Sequence, residues 1–174
     1  IVVYDPSAGF VTGGGWIDSP PGAYTPNDPN DPDVVGVAEF GFVSKYKKGQ
    51  TVPTGNTSFE FQSAGLDFSS TSYEWLIVQG QGKAAFKGVG VIEGIPGQFQ
   101  FRITVWDADV NDTDSFEVDR FRMQIWTTLA NGEDYFVYDN GFGTDPDLDP
   151  QGGATELGGG SIVIHVPKGN GKKK

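Results

Sequence analysis

The chain has no cysteine, one histidine and one methionine among its 174 residues. Without cysteine there is neither a disulfide staple nor a thiolate metal site. A single histidine, His165, removes most zinc sites and the usual Ser-His and Cys-His dyads, and its apolar strand marks it as a structural residue. Lack of cysteine suits a cytosolic protein, and equally an exported one that relies on its core or on a metal. Basic residues are scarce too, 12 Lys and Arg against 23 Asp and Glu, for a net charge of -11. Binding nucleic acid needs a positive face, and the only basic clusters are Lys45, Lys47, Lys48 and the tail Lys172 to Lys174. No nucleic-acid partner is therefore expected. No apolar run approaches the roughly 18 residues of a membrane helix, so no membrane span is expected. No long segment shows a 3.6-residue period with caps, so helices should be few. No G-x-S-x-G occurs, and VTGGGWI lacks the Lys-Ser/Thr of a phosphate loop. A signal peptide is also missing, and the abrupt start IVVYDPSAG reads as a piece of a longer protein or a processed chain.

What is present is turn chemistry and aromatic side chains. There are 26 Gly, 11 Pro and 13 Phe, and aromatics make up 13 % of the chain, enough for a core in one domain. Period-two alternation recurs throughout. Phe59 and Phe61 alternate with polar neighbours. Phe99, Phe101, Ile103 and Val105 alternate with Gln98, Gln100, Arg102 and Thr104. Phe121, Met123 and Ile125 alternate with Arg120, Arg122 and Gln124. Phe86, Gly88, Gly90 and Ile92 form another inward set, and Ile162, Ile164 and Val166 the last. Val35 and Val37 followed by Phe40 and Phe42 change phase, which implies a bulge. The run from Tyr73 to Val78 is apolar on both faces, which makes it a central strand with Trp75 in the core. The Asn131-Gly132 turn predicts a hairpin between the strand before it and Tyr135–Asp139. The expected fold is an all-β antiparallel sandwich of about ten strands with long acidic loops. Residues 1–8 read as a linker or the end of a preceding module, 9–167 as the sandwich, and 168–174 as a basic flexible tail.

The segments VTGGGWIDSPPGAY, AEFGFVSKYKKGQTVPTGNTSFEF, LDFSSTSYEWLIVQG, AAFKGVGVI, DRFRMQIW, VYDNG and LGGGSIVIH follow one another in a fixed order. In this the chain resembles, over roughly residues 9–166, a domain of secreted bacterial proteins. That domain recurs after choice-of-anchor P modules and downstream of Ig-like, PKD-type or HYR-type repeats. The resemblance implies a β-sandwich, export to a secreted or cell-surface setting, and neighbouring domains of the same polypeptide as partners. It implies no catalytic activity. The acidic loops at 27–33, 107–119 and 145–149 are longer and more acidic than that family's pattern.

Five features could carry function. The stretch DADVNDTDSFEVD, residues 107–119, places oxygen ligands at Asp107, Asp109 and Asn111 in the D-x-[DN]-x-[DN] spacing of a calcium loop, with Asp114 and Asp119 as further ligands. Like charges about 4 Å apart repel by roughly 1–4 kcal/mol, so a gathered cluster calls for a cation. The loop departs from an EF-hand, having Asp112 where Gly is needed and Val118 where Glu is needed. A solvated acidic turn is the alternative. NDPNDPD (27–33) and DPDLDP (145–150) could hold calcium, but Asx-type turns explain them as well. Trp16, Trp75, Trp106, Trp126, Tyr24 and Tyr46 could include a platform that stacks on sugar rings, with polysaccharide as the ligand; Trp106, Trp126, Trp16 and Tyr24 are singled out, and Trp106 and Trp126 fall on the side opposite the inward sets. Glu117 and Asp119 share a strand face in the manner of sandwich glycosidases, but Arg122 stands where a third carboxylate is needed, and nothing sets two carboxyls about 5 Å apart. A Lys–Asn crosslink would draw on Lys83, Lys87 and Asn140. The expectation is a non-catalytic structural or adhesive module stabilised by calcium, then a carbohydrate-binding module, then a glycoside-active hydrolase.

Overall fold

The computed structural model describes residues 9–28, 30, 33–79, 82–110, 117–147 and 153–165. Ten strands follow in order: β1 (Phe10–Ser19), β2 (Gly36–Lys45), β3 (Thr54–Phe61), β4 (Leu66–Gln79), β5 (Lys83–Ile92), β6 (Ile95–Trp106), β7 (Arg120–Thr128), β8 (Asp134–Asp139), β9 (Thr155–Glu156) and β10 (Gly159–His165). One 3-10 turn, Gln62–Ala64, joins β3 to β4, and there is no α-helix among the described residues. The fold is all-β and every strand pairing is antiparallel.

The strands form one hydrogen-bonded sheet in the order β10-β1-β2-β3-β4-β5-β6-β7-β8, with β9 added to β7. The sheet is curled into a half-barrel. Strands β2 and β7 stand five places apart in that order, which in a flat sheet would separate them by about 24 Å. Yet Phe40 of β2 and Phe121 of β7 stack with ring centroids 3.9 Å apart, and Phe59 of β3 meets Tyr138 of β8 at 4.7 Å. The inward faces of all nine strands of the path therefore share one core, built on the Phe, Ile and Leu sets that alternation marks. Burying them removes apolar area from water at about 25 cal/mol per Å², the main stabilising term.

Curling requires irregularities, and the long strands supply them. Pairing shifts between Ser70 and Ser72, Tyr73 and Trp75, Gly90 and Ile92, and Ile125 and Trp126. Bulges of this kind bend a strand and raise its twist. At Gly88 a Cβ would run into the Ser72 carbonyl oxygen and the Phe101 ring, so only glycine lets β4 and β5 approach there.

Two expectations are corrected. Val35 and Val37 point outward, at 54 % and 45 % exposure, and β2 pairs with both neighbours without a shift. Its buried phase is Ala38, Phe40, Phe42 and Ser44, so the bulge expected there is absent. Trp75 is outside the core: the two shifts in β4 place Tyr73 and Leu76 inward and turn Trp75 to the outer face. The hairpin at Asn131-Gly132 forms as expected, with Gly132 at φ 87° and the Leu129 N–H donating to Glu133 O at 2.8 Å.

Both ends of the sheet are covered. The chain after β1 runs beside β8, where the Thr25 N–H donates to Val137 O and the Asp139 N–H to Ala23 O, each at 2.8 Å. At the β10 end, the carboxylates of the β6–β7 connection take up strand amides.

Candidate functional site

Asp107 follows β6 directly and Asp119 precedes β7 directly. Their four carboxylate oxygens all accept backbone N–H groups. Asp107 Oδ1 accepts from Asp109 at 3.0 Å and Oδ2 from Ile164 at 2.9 Å. Asp119 Oδ1 accepts from Ala108 at 2.8 Å and Oδ2 from Ile162 at 2.7 Å. Ile162 and Ile164 are alternate residues of β10, and these N–H groups point away from β1. The pair of aspartates is thus a clasp that joins the β10 edge to β6 and β7. Burial pushes the Asp107 carboxyl above its ordinary value, against the lowering effect of its two amide donors, and the charges of Asp119 and Asp109 add to the rise. Asp109 is exposed, Glu117 is exposed, and Asn111 and Asp114 lie outside the described residues. No group of three acidic or histidine side chains is placed to hold a metal among the described residues.

The Asp-Pro loops form Asx turns. The Asn30 N–H donates to Asp28 Oδ1 and the Asp147 N–H to Asp145 Oδ1. The second loop is also strapped to the outer face of the sheet by cations. Lys83 Nζ donates to Pro146 O at 2.6 Å, Arg102 Nη2 to Asp147 Oδ1 at 2.7 Å, and Arg122 Nη2 to Thr144 O at 3.0 Å. The hydrogen bond from Arg102 holds the Asp147 carboxyl below its ordinary value of 3.8, and the charges of Arg102 and Lys83 add to this. Beneath the strap Arg122 forms a two-pronged pair with Asp139, both distances 3.0 Å, with side chains 1 % and 3 % exposed.

Around the strap lies a groove. Strand register sets Trp75, Lys87, Arg102 and Gln124 in one row across β4, β5, β6 and β7, and Gln100, Trp126 and Phe136 in the next. A solvent-facing cavity of about 290 Å³ is lined by Trp75, Trp126 and Phe136, by Lys87, Arg102 and Gln124, and by the carboxylates of Asp134, Asp145 and Asp147. A second, of about 220 Å³, adjoins it toward Lys83 and shares Trp75, Arg102 and Asp147. The cations lie on the rings: Arg102 Cζ is 5.5 Å from the Trp75 centroid and Lys87 Nζ 5.6 Å from that of Trp126. Trp126 continues through Phe136 to Phe142, with centroids 5.8 Å apart at each step. Aromatic faces with amide, carboxylate and cationic groups between them provide what a sugar ring needs, an apolar plane beside hydrogen-bond partners.

Of the four aromatic residues that the sequence singles out, Trp126 lines this groove. Trp106 faces outward from β6, is 1 % exposed, and lies under Lys83 Nζ at 5.0 Å. Trp16 packs on Gly158 and Gly159, where a side chain would collide with its indole. Tyr24 meets Phe61 edge to face at 6.5 Å. These three do not join Trp126 in one surface. Phe136, Arg102 and Gln124 were missed as site residues, Trp75 was assigned to the core and Lys87 only to a crosslink; the signal was the polar face of β6, read across to its neighbours. Asn140 bonds to both backbone groups of β7, with Oδ1 accepting from the Met123 N–H and Nδ2 donating to Phe121 O, while Lys87 is engaged by Glu74 and Gln100. His165 stacks on Phe10 at 3.8 Å.

Comparisons with protein families, with curated proteins and with solved structures give no match.

Proposed function

We propose that the chain is a non-catalytic adhesive module of a secreted or cell-surface bacterial protein, and that it holds polysaccharide in the outer groove. The carrying observation is the pair of partly exposed indoles, Trp75 and Trp126, with Arg102 and Lys87 on their faces in a cavity of about 290 Å³. In this reading the curled sheet works as a sandwich whose two arms meet through Phe40 and Phe121, and neighbouring domains of the same polypeptide carry it. A non-catalytic role is supported by the commitment of Asp119 to two backbone amides and of Arg122 to Asp139. Calcium is proposed as a supplement at the β6–β7 loop. Asp107 and Asp119 would give it lone pairs left over from the amides, with Asp109, Asn111 and Asp114 as the further ligands.

A polysaccharide panel read by affinity electrophoresis tests the main reading. Retardation of the native chain that is lost in Trp126→Ala is expected. No retardation by any polysaccharide would sink it. EDTA lowering the melting temperature supports the calcium part, and an unchanged value removes that part alone.

A further inference from the structure

The chain carries a net charge of -11, and five of its twelve basic residues lie on the outer face, interleaved with Glu74, Asp139, Asp147 and Glu156. All three arginines, Arg102, Arg120 and Arg122, and both lysines of β5, Lys83 and Lys87, lie there in adjacent register on β5, β6 and β7. Their carboxylate partners differ in kind. The Arg122–Asp139 pair is buried, whereas Glu74 opposite Lys87 is 45 % exposed and Asp147 opposite Arg102 is 64 % exposed. Asp147 also uses the Arg102 fork incompletely. Nη2 is engaged at 2.7 Å and Nη1 at 3.4 Å, while Nε is buried without a partner among the described residues. A guanidinium favours two parallel bonds to one anion, and a buried N–H left empty is costly.

We propose that the groove is selective for acidic polysaccharide, and that Asp147 is a built-in stand-in for the ligand's anionic group. This rests on the polysaccharide reading above. A carboxylate or sulfate of the ligand replaces Asp147 on Arg102, reaching Nε and Nη2 together. The sugar ring carrying it lies against Trp75 or Trp126, and Lys87 adds a second positive charge beside it. An exposed ion pair opposes such replacement by about fivefold at most, so the strap yields to a ligand that satisfies Arg102 better. The two cavities share Trp75, Arg102 and Asp147, so a ligand in either one would meet the pair.

The test compares the native chain with Asp147→Asn, Arg102→Gln and, as a control for net charge away from the groove, Glu39→Gln. Binding to polygalacturonate, dextran sulfate and neutral dextran is measured by affinity electrophoresis at low and high salt. The native chain is expected to bind one or both anionic polymers at least tenfold more tightly than dextran, with the advantage falling as salt rises. Asp147→Asn is expected to strengthen anionic binding about three- to fivefold, a gain that damage to the fold cannot produce. Glu39→Gln should leave it unchanged, and Arg102→Gln should abolish the preference. Retardation by polygalacturonate but not dextran sulfate assigns the group as carboxylate, and the converse as sulfate. Binding to neutral dextran alone overturns acidic selectivity while leaving the polysaccharide reading standing. Absence of binding to all three, together with silence on the wider panel, overturns both. Anionic binding that Asp147→Asn weakens or leaves unchanged, or that Glu39→Gln strengthens equally, overturns the stand-in role.

Discussion

Replacing Asp107 with alanine tests the clasp that closes the β10 end of the sheet. The change removes the acceptor of the Ile164 N–H, a 2.9 Å bond at a residue only 3 % exposed. An amide left without a partner there costs about 1–3 kcal/mol. The second lost bond, from Asp109, lies at an exposed residue, where water replaces the carboxylate at little cost. Against these stands a gain, because the carboxylate need no longer be desolvated. The net expectation is a loss of about 2 kcal/mol, which in a chain of this size lowers the melting temperature by about 4–8 °C. The pH dependence gives a second, signed test. Burial raises the Asp107 carboxyl above its ordinary 3.8, so between that value and the folded one the native state binds more protons than the unfolded state. Stability from this group is complete below 3.8 and is lost as pH rises through the folded value. The gap between native chain and Asp107→Ala should therefore be widest in acid and narrow toward neutrality. Calorimetry from pH 3.5 to 7.5 measures both. A drop of less than about 1 °C, or a gap that widens with rising pH, refutes the clasp as described.

Three further outcomes follow from the packing. Asp139→Ala strands the buried Arg122 guanidinium and should cost about 3–5 kcal/mol in urea unfolding, whereas replacing both partners with apolar residues should recover most of it; an equal loss in the double variant would count against the pair. Gly88→Ala drives a Cβ into the Ser72 carbonyl and should cost about 2–3 kcal/mol, so an unchanged urea midpoint would show that β4 can give way. Trp126→Ala, at a partly exposed outer-face residue, should lower stability by only about 1 kcal/mol while removing polysaccharide retardation. Loss of binding that tracks a much larger loss of stability would leave the groove without support.

The core was legible because period-two alternation survives wherever strands run without interruption. Phe99 to Val105 and Phe121 to Ile125 face inward as their spacing dictates, and Asn131-Gly132 turns as its chemistry requires. Trp75 was misplaced because two pairing shifts in β4 break the alternation that places a side chain on one face or the other. The groove was illegible for a different reason. Trp75, Lys87, Arg102, Gln124 and Trp126 come from four strands, and only inter-strand register puts them side by side. The acidic stretch at 107–119 was visible as a cluster, but its role depends on Ile162 and Ile164, 43 and 57 residues away from their acceptors. Local spacing showed that carboxylates gather there and could not show that strand amides answer them.

The pairing of β1 with β10 sets how the module responds to force. Phe10 lies opposite His165, so the chain enters the sheet and leaves it at one corner, on neighbouring antiparallel strands. Tension carried through the flanking polypeptide would pull these two strands apart from that corner, breaking their hydrogen bonds one after another instead of shearing them together. The Phe10–His165 stack is the first contact to bear the load. Were the proposed module carried by polypeptide on both sides, tethering at a single corner would add little length to that chain and leave the groove free to turn toward a passing surface.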